Sequence, residues 1–141
     1  MKFLLDTNVI SEMSKPQPEP SVARWLASTP LQDVALSVIT LGEVKRGILA
    51  APSEQRRNKL QHWYDHTFLR LFEGRVLDLT PAVMDEWAWR YQAARTAGNT
   101  PASMDSLIAA TAAAHGLTVV TRNESDFTPM QVSVLNLWKE E

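Results

Sequence analysis

The chain has 141 residues, 14 lysines and arginines against 16 aspartates and glutamates, and no cysteine. That length fits one domain with a core of its own, expected to run over residues 1–141. The missing thiols exclude a disulfide framework and a thiolate metal site, and a formal charge of −2 does not advertise a polyanionic partner.

No apolar run approaches the ~20 residues that span a bilayer. Met1-Lys2-Phe3-Leu4-Leu5-Asp6 reaches an acid too early for a signal peptide. A cytoplasmic protein without membrane contact is expected. Lys2 to Asp6 reads as a short strand ending in an acid, and Ser21 to Ser28 has helical spacing through Val22, Trp25 and Leu26. Val34 to Val38 is a second strand, rich in β-branched residues, and helical spacing returns at Leu41, Val44, Ile48 and Leu49. A long helix is expected from about Glu54 to Phe72, stopped by Gly74.

Val76 to Leu79 reads as a third strand, and Thr80-Pro81 opens a helix whose face carries Val83, Trp87, Tyr91 and Ala94. After the loop Asn99-Thr100-Pro101, an alanine-rich helix runs from Ser103 to His115, closed by Gly116. Leu117 to Thr121 and Val132 to Leu137 complete the strands. Strands alternating with helices predict an α/β fold, a parallel sheet covered on both faces. Ligands of such sheets bind beyond the carboxyl ends of the strands, near the reversal of strand order.

Acids stand where that rule points. Asp6 follows the first strand, Glu43 lies one turn into the helix after the second, Asp105 opens the helix leading into the fourth, and Asn123 and Asp126 follow the fourth. Each also has a plainer reading. Asp6 suits a turn or cap, and Thr40-x-x-Glu43 is a literal capping box. Asp105 complements a helix dipole, and Asp126 suits a solvated loop. Jointly, crowded carboxylates repel, and a hard divalent cation relieves them. Mg²⁺ takes oxygen ligands, needs only one or two direct carboxylates, and activates water against phosphodiesters. The three histidines, His62, His66 and His115, have no zinc-ligand spacing. Ser37, Ser103 and Ser106 have no triad partner at recognisable spacing.

Four blocks carry a family resemblance. Phe3-Leu4-Leu5-Asp6-Thr7-Asn8-Val9-Ile10-Ser11 resembles the opening of PIN-domain nucleases. Leu36 to Ile48, Met104 to Ala112 and Val119 to Phe127 resemble their later blocks in order and spacing. Within that family the chain is most similar to the VapC and FitB toxins of bacterial toxin–antitoxin pairs. The resemblance implies a three-layer α/β/α sandwich and Mg²⁺- or Mn²⁺-dependent endoribonuclease activity. It implies Asp6, Glu43, Asp105 and Asp126 as catalytic and metal-site acids, and Thr7, Thr121 and Asn123 as accessory polar residues. It further implies a homodimer, a small cognate antitoxin across the groove, and an RNA substrate, with tRNA a plausible one.

Arg46 and Arg122 are candidate RNA contacts, while Arg56 and Arg57 read as solvated charges at the start of a helix. Trp87 shares a core stripe with Val83 and Tyr91, and Trp89 falls off it. Two rival readings stand. One is a non-catalytic dimeric module acting through a DNA-binding antitoxin. The other is a haloacid-dehalogenase-type phosphatase, which needs a second acid where this chain has Asn8.

Overall fold

A computed structural model describes residues 1–139; residues 140 and 141, the end of the expected domain, lie outside the described residues. Five parallel strands form one sheet: β1 (Phe3–Leu5), β2 (Val34–Ser37), β3 (Val76–Leu77), β4 (Thr118–Val120) and β5 (Val134–Leu135). Their order is β3-β2-β1-β4-β5. The expected strands are therefore present, each trimmed at its ends.

β1 is the centre. Its residues Phe3 and Leu4 register with Val34 and Ala35 of β2, and Phe3 to Leu5 register with Thr118 to Val120 of β4. Chain order reverses at β1, because the connection from β1 leads to one side and β4 returns on the other. The crevice of a doubly wound sheet opens at such a reversal.

Neighbouring side chains on a strand point to opposite faces, and this divides the core in two. Leu5, Val34, Leu36 and Val120 pack on one face with Phe68 and Phe72. Leu4, Ala35 and Val119 pack on the other with Ile108, Ala109 and Ala112. The first layer is built by α1 (Thr7–Met13), α2 (Pro20–Ser28) and the helical segment from α4 (Glu54–Trp63) to α5 (Leu69–Leu71). The second is built by α6 (Pro81–Thr96) and α7 (Ser103–His115). Helix α3 (Val38–Leu49) follows β2 directly and packs Ile39 into the second layer and Leu41 and Val44 into the first. The α/β/α sandwich is as expected.

Two features depart from expectation. Helix α1 begins directly at Thr7, where no element is expected from the sequence; Asp6 caps it by accepting from the Thr7 amide, as its cap reading allows. The long helix expected over 54–72 is interrupted by a π-helical turn at Tyr64–Phe68, which lets Phe68 reach the core fully buried. Gly116 closes α7 in the left-handed conformation at φ 65°, which glycine adopts without steric cost. The Leu117 amide then donates to the Ala112 carbonyl at 2.9 Å, completing a Schellman closure.

No helix of the described residues is long and apolar enough to cross a membrane.

Candidate active site

The acids gather at the carboxyl ends of the strands. Asp6, leaving β1, is buried. Its Oδ1 accepts from the Thr7 amide at 2.8 Å. Its Oδ2 accepts from the Thr121 hydroxyl at 2.8 Å and from Asn8 Nδ2 at 3.3 Å. Thr121 immediately follows β4 and is fully buried. Its Oγ1 also accepts from Asn8 Nδ2 at 3.2 Å and from the Asn123 amide at 3.0 Å. One donated and two accepted bonds exhaust what a hydroxyl offers. Asn8 Oδ1 in turn accepts from the Arg122 amide at 3.3 Å. A single web thus fixes the residue after β1 to the loop after β4.

Thr7 links a second acid. Its hydroxyl donates to Glu43 Oε1 at 2.6 Å, while its amide holds Asp6. The capping-box reading of Thr40 and Glu43 is therefore corrected. Helix α3 starts earlier, capped by Ser37, whose hydroxyl accepts from the Ile39 amide at 3.1 Å. Thr40 is buried inside the helix and its hydroxyl has no partner among the described residues. Glu43 is thereby free of capping and faces α1.

Asp105 is half-buried in the first turn of α7. Burial, then the charges of Asp6, Asp126 and Glu43, push its carboxyl up to about 6. Burial also raises Asp6; the Thr121 and Thr7 hydrogen bonds oppose this, and Glu43 and Asp126 add to it. Asp6 and Asp105 thus lie in the field of neighbouring acids, although the four come from the end of β1, from α3, from α7 and from the Glu124–Asp126 turn. Such mutual repulsion is the electrostatic condition that a cation relieves.

The donor set is all oxygen and anionic, which suits a hard cation. Among the described residues, no group of three or more His, Cys, Asp or Glu side chains is arranged to hold a metal ion on its own. Mg²⁺ fits that arrangement because it keeps most of its waters and takes one or two direct carboxylates. His62 and His66 lie with ring centres 4.2 Å apart and planes tilted by 38° on an exposed helix face, remote in chemistry from this set.

Asn123 contributes its backbone amide to the web. Arg122 is exposed, its guanidinium lying 5.8 Å from the centre of the Trp138 ring. Arg46 is exposed and borders a hollow of about 310 Å³ beside Glu43. Arg57 is anchored on the Ala51 carbonyl at 2.8 Å. Asn8 is the functional residue that sequence reasoning passes over; its signal is a polar side chain two residues past an acid at a strand end. A wider hollow of about 630 Å³ runs along α6 beside Trp89. It lies away from the four acids, and Trp87 on the same helix instead turns inward to bond the Ser106 hydroxyl at 2.9 Å.

Comparison with known proteins gives a consistent result. A family model described as the PIN domain matches residues 3–129. The chain is 41% identical over 138 residues to Toxin FitB of Neisseria gonorrhoeae, covering 98% of this chain and 99% of that protein. It is 35% identical over 137 residues to VapC ribonuclease Y4jK of Sinorhizobium fredii, covering 97% and 98% respectively. The crystal structure of FitAcB from Neisseria gonorrhoeae matches with a TM-score of 0.93 at 40% identity, over 98% of this chain and 99% of that one.

Proposed function

Since the chain belongs to the PIN domain family, we propose that it is a divalent-metal-dependent endoribonuclease, the toxin of a toxin–antitoxin pair. The observation that carries this reading is the gathering of acids at the strand ends, where Thr7 bonds both Asp6 and Glu43 and where burial and the three other acids push the Asp105 carboxyl up to about 6. The names of the relatives, a toxin and a ribonuclease, support the class of substrate and the paired partner.

Asp6 and Asp105 would hold Mg²⁺, with Mn²⁺ an alternative, and Glu43 and Asp126 would complete the negative well. The ion supplies a water of lowered pKa and charge stabilisation at the phosphoryl oxygens. The chain's own residues prepare that chemistry. Thr121 and the Thr7 amide aim Asp6 and oppose the effect of its burial, because hydrogen bonds to a carboxylate favour its charged form. Thr7 couples the position of Glu43 to that of Asp6. Asn8 holds both Asp6 and Thr121, so the two strand ends cannot drift apart. RNA is cut by hydrolysis, with no covalent enzyme intermediate. A small antitoxin covers the groove, and two copies of the chain form the active toxin.

The test is cleavage of purified structured RNA, tRNA among the substrates, by the protein freed of any partner. Wild type cuts in Mg²⁺ and stops in EDTA. Asp6→Asn and Asp105→Asn lose cleavage by two orders of magnitude or more. Wild-type rates in either variant under excess Mg²⁺ reject the assignment, and metal-independent cutting rejects the mechanism.

A further inference from the structure

The acids of the candidate site are not held equally. Asp6 accepts hydrogen bonds from Thr7, Thr121 and Asn8, and Glu43 accepts one from Thr7. No hydrogen bond contributes to the state of the Asp105 carboxyl, which burial and neighbouring charges govern. Its place is therefore set by the backbone of the first turn of α7. That turn starts with little to anchor it. Ala102 stands at the cap position and offers no side-chain hydrogen bond. Ala102, Ser103 and Met104 are all exposed. A helix start without a capping side chain leaves its first amides to water and frays.

Ser106 is the first buried residue of α7, and it ties this turn to α6. Its hydroxyl donates to the Ser103 carbonyl at 2.6 Å, closing the turn on itself. The same oxygen accepts from Trp87 Nε1 at 2.9 Å. An indole has one donor and no acceptor, so the direction of that bond is fixed. Trp87 is itself held. It stacks on Tyr91, with ring centres 5.0 Å apart and 26° between the planes. Both rings pack against the core layer that contains Ile108 and Ala109. A continuous set of contacts thus runs from that layer, through one hydroxyl, to the turn that carries Asp105.

We infer that Trp87 is a positioning residue for Asp105: through the Ser106 hydroxyl its indole N–H pins the first turn of α7, and with it the Asp105 carboxylate. This rests on the metal-site reading and deepens it. A buried hydrogen bond stabilises the fold wherever it lies. This one lies one residue from a site acid whose carboxyl draws on no hydrogen bond. Loss of the bond therefore reaches the site as well as the fold, because a misplaced carboxylate binds a cation less well. Groups that orient a metal ligand from behind are worth about ten- to a hundredfold in metal affinity. Trp87 acts one step further back, so the lower end of that range applies.

The experiment measures Mn²⁺ binding to the full chain by electron paramagnetic resonance, beside urea denaturation and amide hydrogen exchange. Trp87→Phe keeps an aromatic ring against Tyr91 and removes the N–H. Ser106→Ala removes a single oxygen, and carries the comparison if Trp87→Phe folds poorly. Each variant weakens Mn²⁺ binding about tenfold. Each speeds exchange of the Ser106 amide, which donates to the Ala102 carbonyl in the first turn, and leaves that of Leu117, at the far end of α7, unchanged. The double variant binds Mn²⁺ no more weakly than the worse single one, because both substitutions break one bond. Val22→Ala, in the core beneath α2, lowers the urea midpoint and leaves Mn²⁺ affinity at the wild-type value. Wild-type Mn²⁺ affinity in both Trp87→Phe and Ser106→Ala overturns the inference, and the bond then serves only the packing of α6 on α7. Losses that add in the double variant overturn it too, since the two residues then act separately. A wild-type protein that binds no Mn²⁺ is a distinct result, which removes the metal-site reading and this inference with it.

Discussion

Asp105→Asn should make the metal-free protein more stable while destroying its activity. In the folded chain the carboxyl is raised from 3.8 to about 6. The folded state therefore keeps a proton that the unfolded chain has already released. With respect to this group, stability is greatest below about pH 4 and declines as pH rises toward 6 and just beyond. At about 1.36 kcal/mol per pH unit the interval corresponds to about 3 kcal/mol. Asp105 is only half-buried, so solvent screening and the nearby helix N-terminus reduce this to about 1 kcal/mol. Asparagine has no charge to repel, and no hydrogen bond contributes to the Asp105 shift that its loss would sacrifice. Urea denaturation in EDTA at pH 7.5 should therefore show the variant about 1 kcal/mol more stable than wild type. At pH 4 the gap should largely close. Excess Mg²⁺ at pH 7.5 should reverse the order, because wild type gains binding energy that the variant lacks. An equal gain at both pH values, or none at pH 7.5, refutes the idea that like charges strain this site.

Thr121→Val removes the hydroxyl that donates to Asp6 and accepts from Asn8 and Asn123. It should cost about 2 kcal/mol in thermal denaturation. It should also shift the acid limb of the pH–rate profile upward, since Thr121 is the strongest influence holding the Asp6 carboxyl down against burial; Thr121→Ser should restore both. Thr40→Val replaces a buried hydroxyl that has no partner among the described residues, and should stabilise by about 1 kcal/mol, raising Tm by about 2–4 °C. Mg²⁺ at a hundredfold excess over its Kd should add about 2.7 kcal/mol to wild-type stability in chemical denaturation, and EDTA should remove that increment together with cleavage.

The layers and strands were legible because their patterns are strong. Alternation of Leu4 with Leu5 and of Val119 with Val120 reflects a sheet buried on both faces, and an acid or hydroxyl directly after a strand marks its carboxyl end. The seven residues of α1 were not legible, because one residue, Asp6, serves both as helix cap and as site acid, and two turns of helix give too little periodicity to register. Thr40 and Glu43 have the spacing of a capping box, but Ser37 is one turn nearer the strand and caps the helix first. Spacing could not show this, since both residues are good caps. The π-helical turn at Tyr64–Phe68 has no local signature either; the burial of Phe68 imposes it from the core. Asn8 was read only as an absent acid, and its role became visible once the loop after β4 lay beside it.

The central position of β1 sets when the acid cluster can come together. The hydroxyl partner of Asp6 stands 115 positions later in the chain, and the strand that carries that partner into place is β4. Until β4 lies beside β1, the Asp6 carboxylate lacks the Thr121 hydroxyl that fixes its second oxygen. Distant parallel pairings also form slowly. The acid cluster is therefore assembled only when the sheet itself is, and a chain whose β4 has not yet paired holds its acids apart.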